Sequence, residues 1–456
     1  MSTAVDSPSA TSLFSPRWRN LTIGSIGLCF MMAFEAMGVA AGMPAVAKSL
    51  DGMNLYALAF ASTMAGSLLA MVWSGLDCDR NGPFPSMAGG LLLFAAGLLL
   101  AGLAKSMHVL IFGRIVQGLG IGALGVALYV AAARALQSAL LPRLFAMFSS
   151  AWVVPALIGP AISGYVVEVL GWRWLFLGTF LLLLPAAALI LPSLHRASED
   201  PAERKARKPE SILIWALLAA SSCVVLSVSG IAGSWAHLTV VITLAVLLTS
   251  ADRLLPIGTL RLAPGLPTVI ALRGLYASAF FLCEAFVPLW LHLERGWSIG
   301  TAGFALTGGA LSWSAGSHLQ SRITDEARRR AWLSYGGLLL CAGIIVSGLT
   351  VMKLFPDWVL LIGWSISGLG AGLSLPMLGV LTLTLSPREQ QGTYSSALQL
   401  SAAMCTSAAL AGGGVLFSSL QGQSPLLAYI SVFVLAFLLA SLAHICVPRA
   451  FSRPAG

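Results

Sequence analysis

The sequence predicts an all-α polytopic membrane protein: two six-helix bundles with two extra helices between them. Three observations carry this expectation. The chain is 57% hydrophobic and 9% charged, with a mean hydropathy of +0.88, where soluble domains carry roughly a quarter charged residues. Fourteen apolar runs, each of about 20 residues and so able to cross a hydrocarbon layer of about 30 Å, lie near 21–46, 55–76, 86–104, 107–131, 142–167, 173–192, 211–231, 235–251, 268–292, 299–320, 331–352, 357–381, 392–418 and 425–447. The chain also repeats itself. Gly113, Gly118, Gly120 and Gly122 return as Gly363, Gly368, Gly370 and Gly372 at an offset of 250, and Glu35 in FEAM returns as Glu284 in CEAF at an offset of 249. The runs at 211–231 and 235–251 belong to neither copy, so fourteen spans are expected, or twelve if that pair does not cross.

The distribution of charge sets the expected orientation. With the N-terminus inside, twenty of the 26 lysines and arginines fall on the cytoplasmic side, five fall outside, and Arg114 lies within a span. By the positive-inside rule both termini are cytoplasmic. The net charge of +9 is therefore a topological signal, and no nucleic-acid partner is expected. Residues 1–20 carry no apolar core ahead of a small-residue cleavage site, so the first helix is expected to act as its own insertion signal. The seven cysteines are scattered, with no CxxC pair, which argues against disulfides and zinc. No HExxH, GxSxG or phosphate-binding glycine-lysine loop is present, and the six histidines are dispersed, so enzyme activity, a metal and a cofactor are not expected.

The first helix places Glu35 near its middle. A charge at mid-bilayer costs about 2.5–3.5 kcal/mol on insertion scales, so Glu35 is either a neutral acid bonded between helices or a proton or substrate site. Met31, Met32, Met37, Met43, Met64 and Met71 give the first two helices adaptable apolar surface, as core filler or as the wall of a permissive pocket. A charged elbow follows the second helix, with Gly75, Asp79, Arg80 and Gly82 in SGLDCDRNGPFP. The fourth helix, GRIVQGLGIGALG, sets Arg114 on one stripe with Gly118, Gly122 and Gly125. Its repeat has Trp364 at the arginine's place, so the glycines read as packing and Arg114 as a charge with a task, or as a cation snorkelling from a helix end. The fifth helix carries PALIGPAISG, with Gly159, Pro160 and Gly164, a kinkable stretch with a bare face.

These motifs resemble those of the major facilitator superfamily. The elbow is similar to that family's helix 2–3 loop, G-x-x-x-D-R-x-G, departing from it at Asp77 and at Pro83, Phe84 and Pro85; GRIVQGLGIGALG is similar to its helix-4 motif, and PALIGPAISG to its antiporter motif. The stretch 253–267 resembles the interfacial segment of fourteen-helix drug:proton antiporters. Glu35, nine residues before Pro44, resembles their first-helix acidic motif, with glutamate where aspartate is usual. In the second unit SHLQSRITDEARRR, Ser317 to Arg330, takes the elbow's place.

The resemblance implies a division into a cytoplasmic tail (1–20), a first bundle (21–192), a linker (193–210), two extra helices (211–252), a connector (253–267), a second bundle (268–448) and a tail (449–456). It implies proton-coupled efflux of small lipophilic or drug-like compounds by alternating access. Glu35, Arg114 and Glu284 would couple protons, while Gly75, Asp79, Arg80, Gly82, Gly118, Gly122, Gly159, Pro160 and Gly164 would serve the conformational cycle. The energy source would be the proton gradient, the partners a small molecule and the lipid bilayer, and the working unit a monomer in a bacterial inner membrane. The alternatives are export of one metabolite, lipid or siderophore, or a transporter-derived sensor or scaffold.

Overall fold

The computed structural model describes residues 12–195, 210–228, 236–298, 301, 303, 305–323 and 325–452. The start of the N-terminal tail, most of the expected linker at 193–210, the turn at 229–235 and the last four residues lie outside the described residues. Fourteen α-helices and no strand occur among the described residues. They are α1 (Arg19–Ser49), α2 (Tyr56–Asn81), α3 (Pro83–Gly102), α4 (Met107–Ala135), α5 (Leu141–Val169), α6 (Arg173–His195), α7 (Glu210–Val228), α8 (Ala236–Leu254), α9 (Leu266–Leu293), α10 (Leu306–Gln320), α11 (Glu326–Val351), α12 (Trp358–Leu385), α13 (Gln391–Gln421) and α14 (Pro425–Ala450). Twelve are long and apolar enough to cross a membrane; α7 and α10 are shorter as described.

Neighbouring helices repeat as the sequence does. In the first unit α1 packs on α5 and α6, α3 on α4 and α6, and α2 on α4; in the second α9 packs on α13 and α14, α11 on α12 and α14, and α10 on α12. Lipid tails are as apolar as leucine, so helices associate in a membrane by close fit, and small residues supply it. The glycines of α4 do so on two faces. A Cβ on Gly118 or Gly122 would strike the backbone of α2 at Thr63 or Ser67, and one on Gly113 or Gly120 the backbone of α3 at Ala101 or Phe94. In α12 the copies behave alike, with Gly368 and Gly372 against α10 at Gly309 and Trp313, and Gly363 and Gly370 against α11 at Ser347 and Leu340. Side chains such as Leu92, Val241 and Ile445 stay exposed on the outside, as a lipid-facing surface requires.

The charged elbow is shorter than a loop. α2 runs through Asp79 and Arg80 to Asn81, and α3 begins at Pro83. The connection is Gly82 alone, at φ +84°, a left-handed geometry that glycine adopts without the Cβ penalty. Asp77, the departure from the family pattern, is satisfied locally: Ser86 Oγ and Asn81 Nδ2 donate to its two carboxylate oxygens at 2.6 and 2.7 Å. In the second elbow the acidic residues come late because Asp325 caps α11, accepting from the Arg328 amide at 3.2 Å. The connector 255–265 is a run of turns, and the Gly265 amide ties it to the end of α14 by donating to the Arg449 carbonyl at 2.8 Å.

α7 and α8 lie over the seam between the units. Ala216, Ala219, Ala220 and Cys223 of α7, with Val240 and Leu247 of α8, form one core with Leu68 and Val72 of α2 and with Leu398, Leu400 and Met404 of α13.

Candidate functional site

Glu35 and Arg114 meet inside the first unit. The Arg114 Nη1 donates to Glu35 Oε1 and, at 3.0 Å, to Gln117 Oε1, while its Nε donates to the Ala59 carbonyl at 3.4 Å. One guanidinium thus ties α1, α2 and α4 together. Arg114 is 4% exposed and Glu35 2%, so the arginine points into the bundle and does not snorkel outward. At the repeat position Trp364 keeps the neutral half of this arrangement. Its Nε1 donates to the Leu306 carbonyl at 3.4 Å, the counterpart of the Ala59 bond, and its ring stacks on Phe280 at 4.6 Å between centroids. Glu284 is left without a cation, and among the described residues it makes no ion pair.

Glu284 faces a cavity of about 370 Å³ between the units. Its wall is chiefly aromatic and apolar, from Phe145, Phe148 and Trp152 of α5 to Phe280 and Phe281 of α9 and Trp313 of α10, with Arg273, Tyr129 and Gln399 as its other polar features of note. Of the methionines singled out in the sequence, only Met32 and Met37 line it; Met31 and Met43 are buried in the first unit. Pro376 lies on the wall too. Its ring nitrogen cannot bond the Gly372 carbonyl one turn back, and Ser317 Oγ of α10 donates to that carbonyl instead, at 3.2 Å.

The cavity is closed at the elbow end. Asp79, at the end of α2, accepts from the amides of Gly392 and Thr393 at 2.6 and 2.8 Å and from Thr393 Oγ1 at 2.6 Å. These groups open α13, which has no acidic residue in its own first turn, so a carboxylate of one unit caps a helix of the other. Gly75 makes the approach feasible: a Cβ there would meet Ser396 Cβ at 2.7 Å and the Gly392 carbonyl oxygen at 2.9 Å. Arg134 of α4 donates to the Cys78 carbonyl at 3.0 Å, and Arg80 lies beside Asp79 in the same last turn. Farther in, Ser150 of α5 and Ser314 of α10 share a hydrogen bond of 2.8 Å, and Ser407 of α13 reaches Met64 of α2. These contacts between units run from the elbow end to the middle of the helices, with Met64 about one turn past the middle of α2.

The fifth-helix motif is divided between two jobs. Pro155, Gly159 and Ser163 are buried and pack on α1, where Met37 sits against Gly159 and Ser163 Oγ against Gly38. Pro160 and Gly164 are exposed, and nothing lies within 4 Å of where a Gly164 side chain would begin. Three features of the site escaped sequence reasoning. Arg273 and Gln399, which belong to none of the motifs singled out in the sequence, are both on the cavity wall. The third is the Asp79 partner at Gly392 and Thr393, which lies more than three hundred residues away in the chain.

Known proteins resemble the chain in sequence and in shape. It is 27% identical over 178 residues to the "Multidrug efflux pump SdrM" of Staphylococcus aureus, a match spanning 39% of this chain and 40% of that one. To "Multidrug resistance protein 3" of Bacillus subtilis it is 24% identical over 385 residues, 80% of this chain and 73% of the other. The solved structure of the human organic anion transporter MFSD10 superposes with a TM-score of 0.70 at 14% identity, covering 93% of this chain and all of that one; at that identity the likeness concerns the fold alone. The family model described as Major Facilitator Superfamily matches residues 23–346, most of the chain, and the protein is therefore a multi-pass integral membrane protein belonging to that superfamily of transporters.

Proposed function

We propose that this protein exports small lipophilic, drug-like compounds across the cytoplasmic membrane in exchange for protons. The observation that carries the reading is the unequal placement of its two intramembrane carboxyls. Glu35 is buried against Arg114, whereas Glu284 faces the cavity. A protonated Glu35 cannot hold an ion pair, so proton uptake there and release of the guanidinium would be one event. Because Arg114 also holds α2 and α4, that release would loosen the packing of the first unit. Glu284 would serve in the pocket, as a secondary group. The names of the bacterial relatives support drug efflux, the positive-inside count supports cytoplasmic termini, and the chain would work as a monomer driven by the proton gradient alone.

The test is proton release on binding of an exported compound to the purified chain, followed by flux in liposomes with an imposed pH gradient. Glu35→Gln should abolish release, while Glu284→Gln leaves part of it. The reverse result would move the proton site to the second unit. Compound flux that persists unchanged after the gradient is collapsed would rule out antiport.

A further inference from the structure

We infer that the cavity takes aromatic compounds carrying a carboxylate or sulfonate, and that Arg273 holds the anion; this rests on the cavity being the transport site of the proposed function. Arg273 is the eighth residue of α9, about 10 Å into the helix at 1.5 Å per residue. Its Nη1 donates to the Leu375 carbonyl at 3.0 Å. Its Nε is buried and has no partner among the described residues, and neither ion pair found there involves it. A guanidinium offers five N–H donors and keeps its charge at any working pH, so this wall carries a permanent, uncompensated positive charge. Burying such a charge is costly until an anion joins it.

A second donor points the same way. Gln399 Nε2, from α13, is buried on the same cavity wall and is also without a partner. Two residues with unused donors on one cavity wall call for a ligand rich in acceptors. Glu284 cannot neutralise Arg273, since eleven residues of helix separate them by about 16 Å along the axis. A carboxyl can shed its charge by taking a proton, and a guanidinium cannot, so the protonated cavity is net positive. The rest of the ligand is set by the walls. Phe145, Phe148 and Trp152 from one unit face Phe280 and Trp313 from the other, and flat rings stack on aromatic faces more favourably than saturated chains of equal area. The volume of about 370 Å³ lies at the lower end of the range for small-molecule sites, roughly 300–1,000 Å³, which suits one or two fused rings with one anionic group.

The experiment is equilibrium dialysis of the full chain in detergent, against empty micelles, with three naphthalenes of matched size: 2-naphthalenesulfonate, 2-naphthylmethanol and 2-naphthylmethylammonium. The sulfonate should bind tightest. Arg273→Gln should weaken the sulfonate by roughly 10- to 100-fold, the value of a charge-assisted hydrogen bond, and leave the alcohol within about twofold. The alcohol thereby reports that the variant is folded. Arg273→Lys should retain part of the preference; if the glutamine variant does not fold, the wild-type ranking and the lysine variant decide. Tighter binding of the ammonium, equal binding of all three, binding of none, or an equal loss of sulfonate and alcohol in Arg273→Gln would overturn the inference. Equilibrium binding needs no gradient, so loss of proton exchange with this ranking intact would count against antiport alone.

Discussion

Asp79 is the group through which the structure predicts control of the closed elbow end. Replacing it with asparagine keeps the shape but removes the charge and leaves one acceptor oxygen for three donors, the Gly392 and Thr393 amides and Thr393 Oγ1. A hydrogen bond to a charged group is worth about 1.5–3 kcal/mol net, and an anion at a helix N-terminus about 0.3–1 kcal/mol. The asparagine recovers part of this through its own carbonyl. With Asp79 half-buried, a net loss of about 2 kcal/mol is expected, which shifts the ratio of elbow-closed to elbow-open molecules about 30-fold. The assay is a distance distribution between spin labels at Arg143 of α5 and Leu319 of α10, both exposed at the elbow end, in a chain whose seven cysteines are replaced. Asp79→Asn should move population to longer distances, and Asp79→Glu less so. Identical distributions for wild type and Asp79→Asn would mean that apolar packing along α2 and α13 closes this end without help from the carboxylate.

Gly118→Ala places a Cβ on the backbone carbonyl of Thr63, which cannot rotate away, so a cost of about 1–3 kcal/mol and a lower melting temperature in detergent are expected. Gly164→Ala, with open space around it, should stay within about 0.5 kcal/mol of wild type; equal melting temperatures for the two variants would refute the packing role. Arg114→Met should insert normally yet lose proton-driven transport, whereas Arg114→Lys should retain some. Removing one partner of a buried pair costs about 3–5 kcal/mol when the other stays charged, and Glu35 can escape most of that by protonation, so the readout is flux in liposomes; full flux by the methionine variant would reduce the arginine to a structural tie. Reporter fusions at Ser234 and Arg261 should report opposite sides of the membrane, and the same side for both would remove α7 and α8 from the span count.

The fold was open to sequence reading because membrane spans and glycine stripes are local patterns with one physical meaning each. Gly118 and Gly122 could be assigned to close helix contact from spacing alone, and their copies at Gly368 and Gly372 marked the duplication. Glu35 and Arg114 were each conspicuous as intramembrane charges, and the structure joins them. What spacing could not give was direction across the molecule. Arg273 lies two turns inside α9, and a count of charges near helix ends has no term for which way a guanidinium points. Asp79 drew notice through its own motif, but its partner is more than three hundred residues away, on a helix whose start looks like any other. The end of α2 was misjudged as loop because aspartate, asparagine and glycine signal turns, although here the aspartates are satisfied by Ser86 and by α13.

The duplication makes its one broken position informative. Ala59 and Leu306 both offer a carbonyl, and Arg114 and Trp364 both take it with an Nε proton, so packing alone is satisfied by either side chain. Only the arginine adds a charge, and only in that copy is the carboxyl of the first helix buried in an ion pair. In the second copy the same space holds Phe280 stacked on Trp364, and the equivalent carboxyl, Glu284, is turned toward the cavity. Had the arginine been kept twice, both carboxyls would be tied down and the cavity would have lost its acid; had the tryptophan been kept twice, neither would be held. Substituting one residue in one copy gives each unit a different carboxyl chemistry on the same scaffold. An Arg114→Trp and Trp364→Arg exchange tests this directly. If the scaffold is as equivalent as the paired carbonyl bonds indicate, the exchanged chain should fold, with Glu284→Gln now abolishing proton release and Glu35→Gln sparing part of it. Release that still depends on Glu35 in the exchanged chain would show that position in the first unit, and not the arginine, selects the proton site.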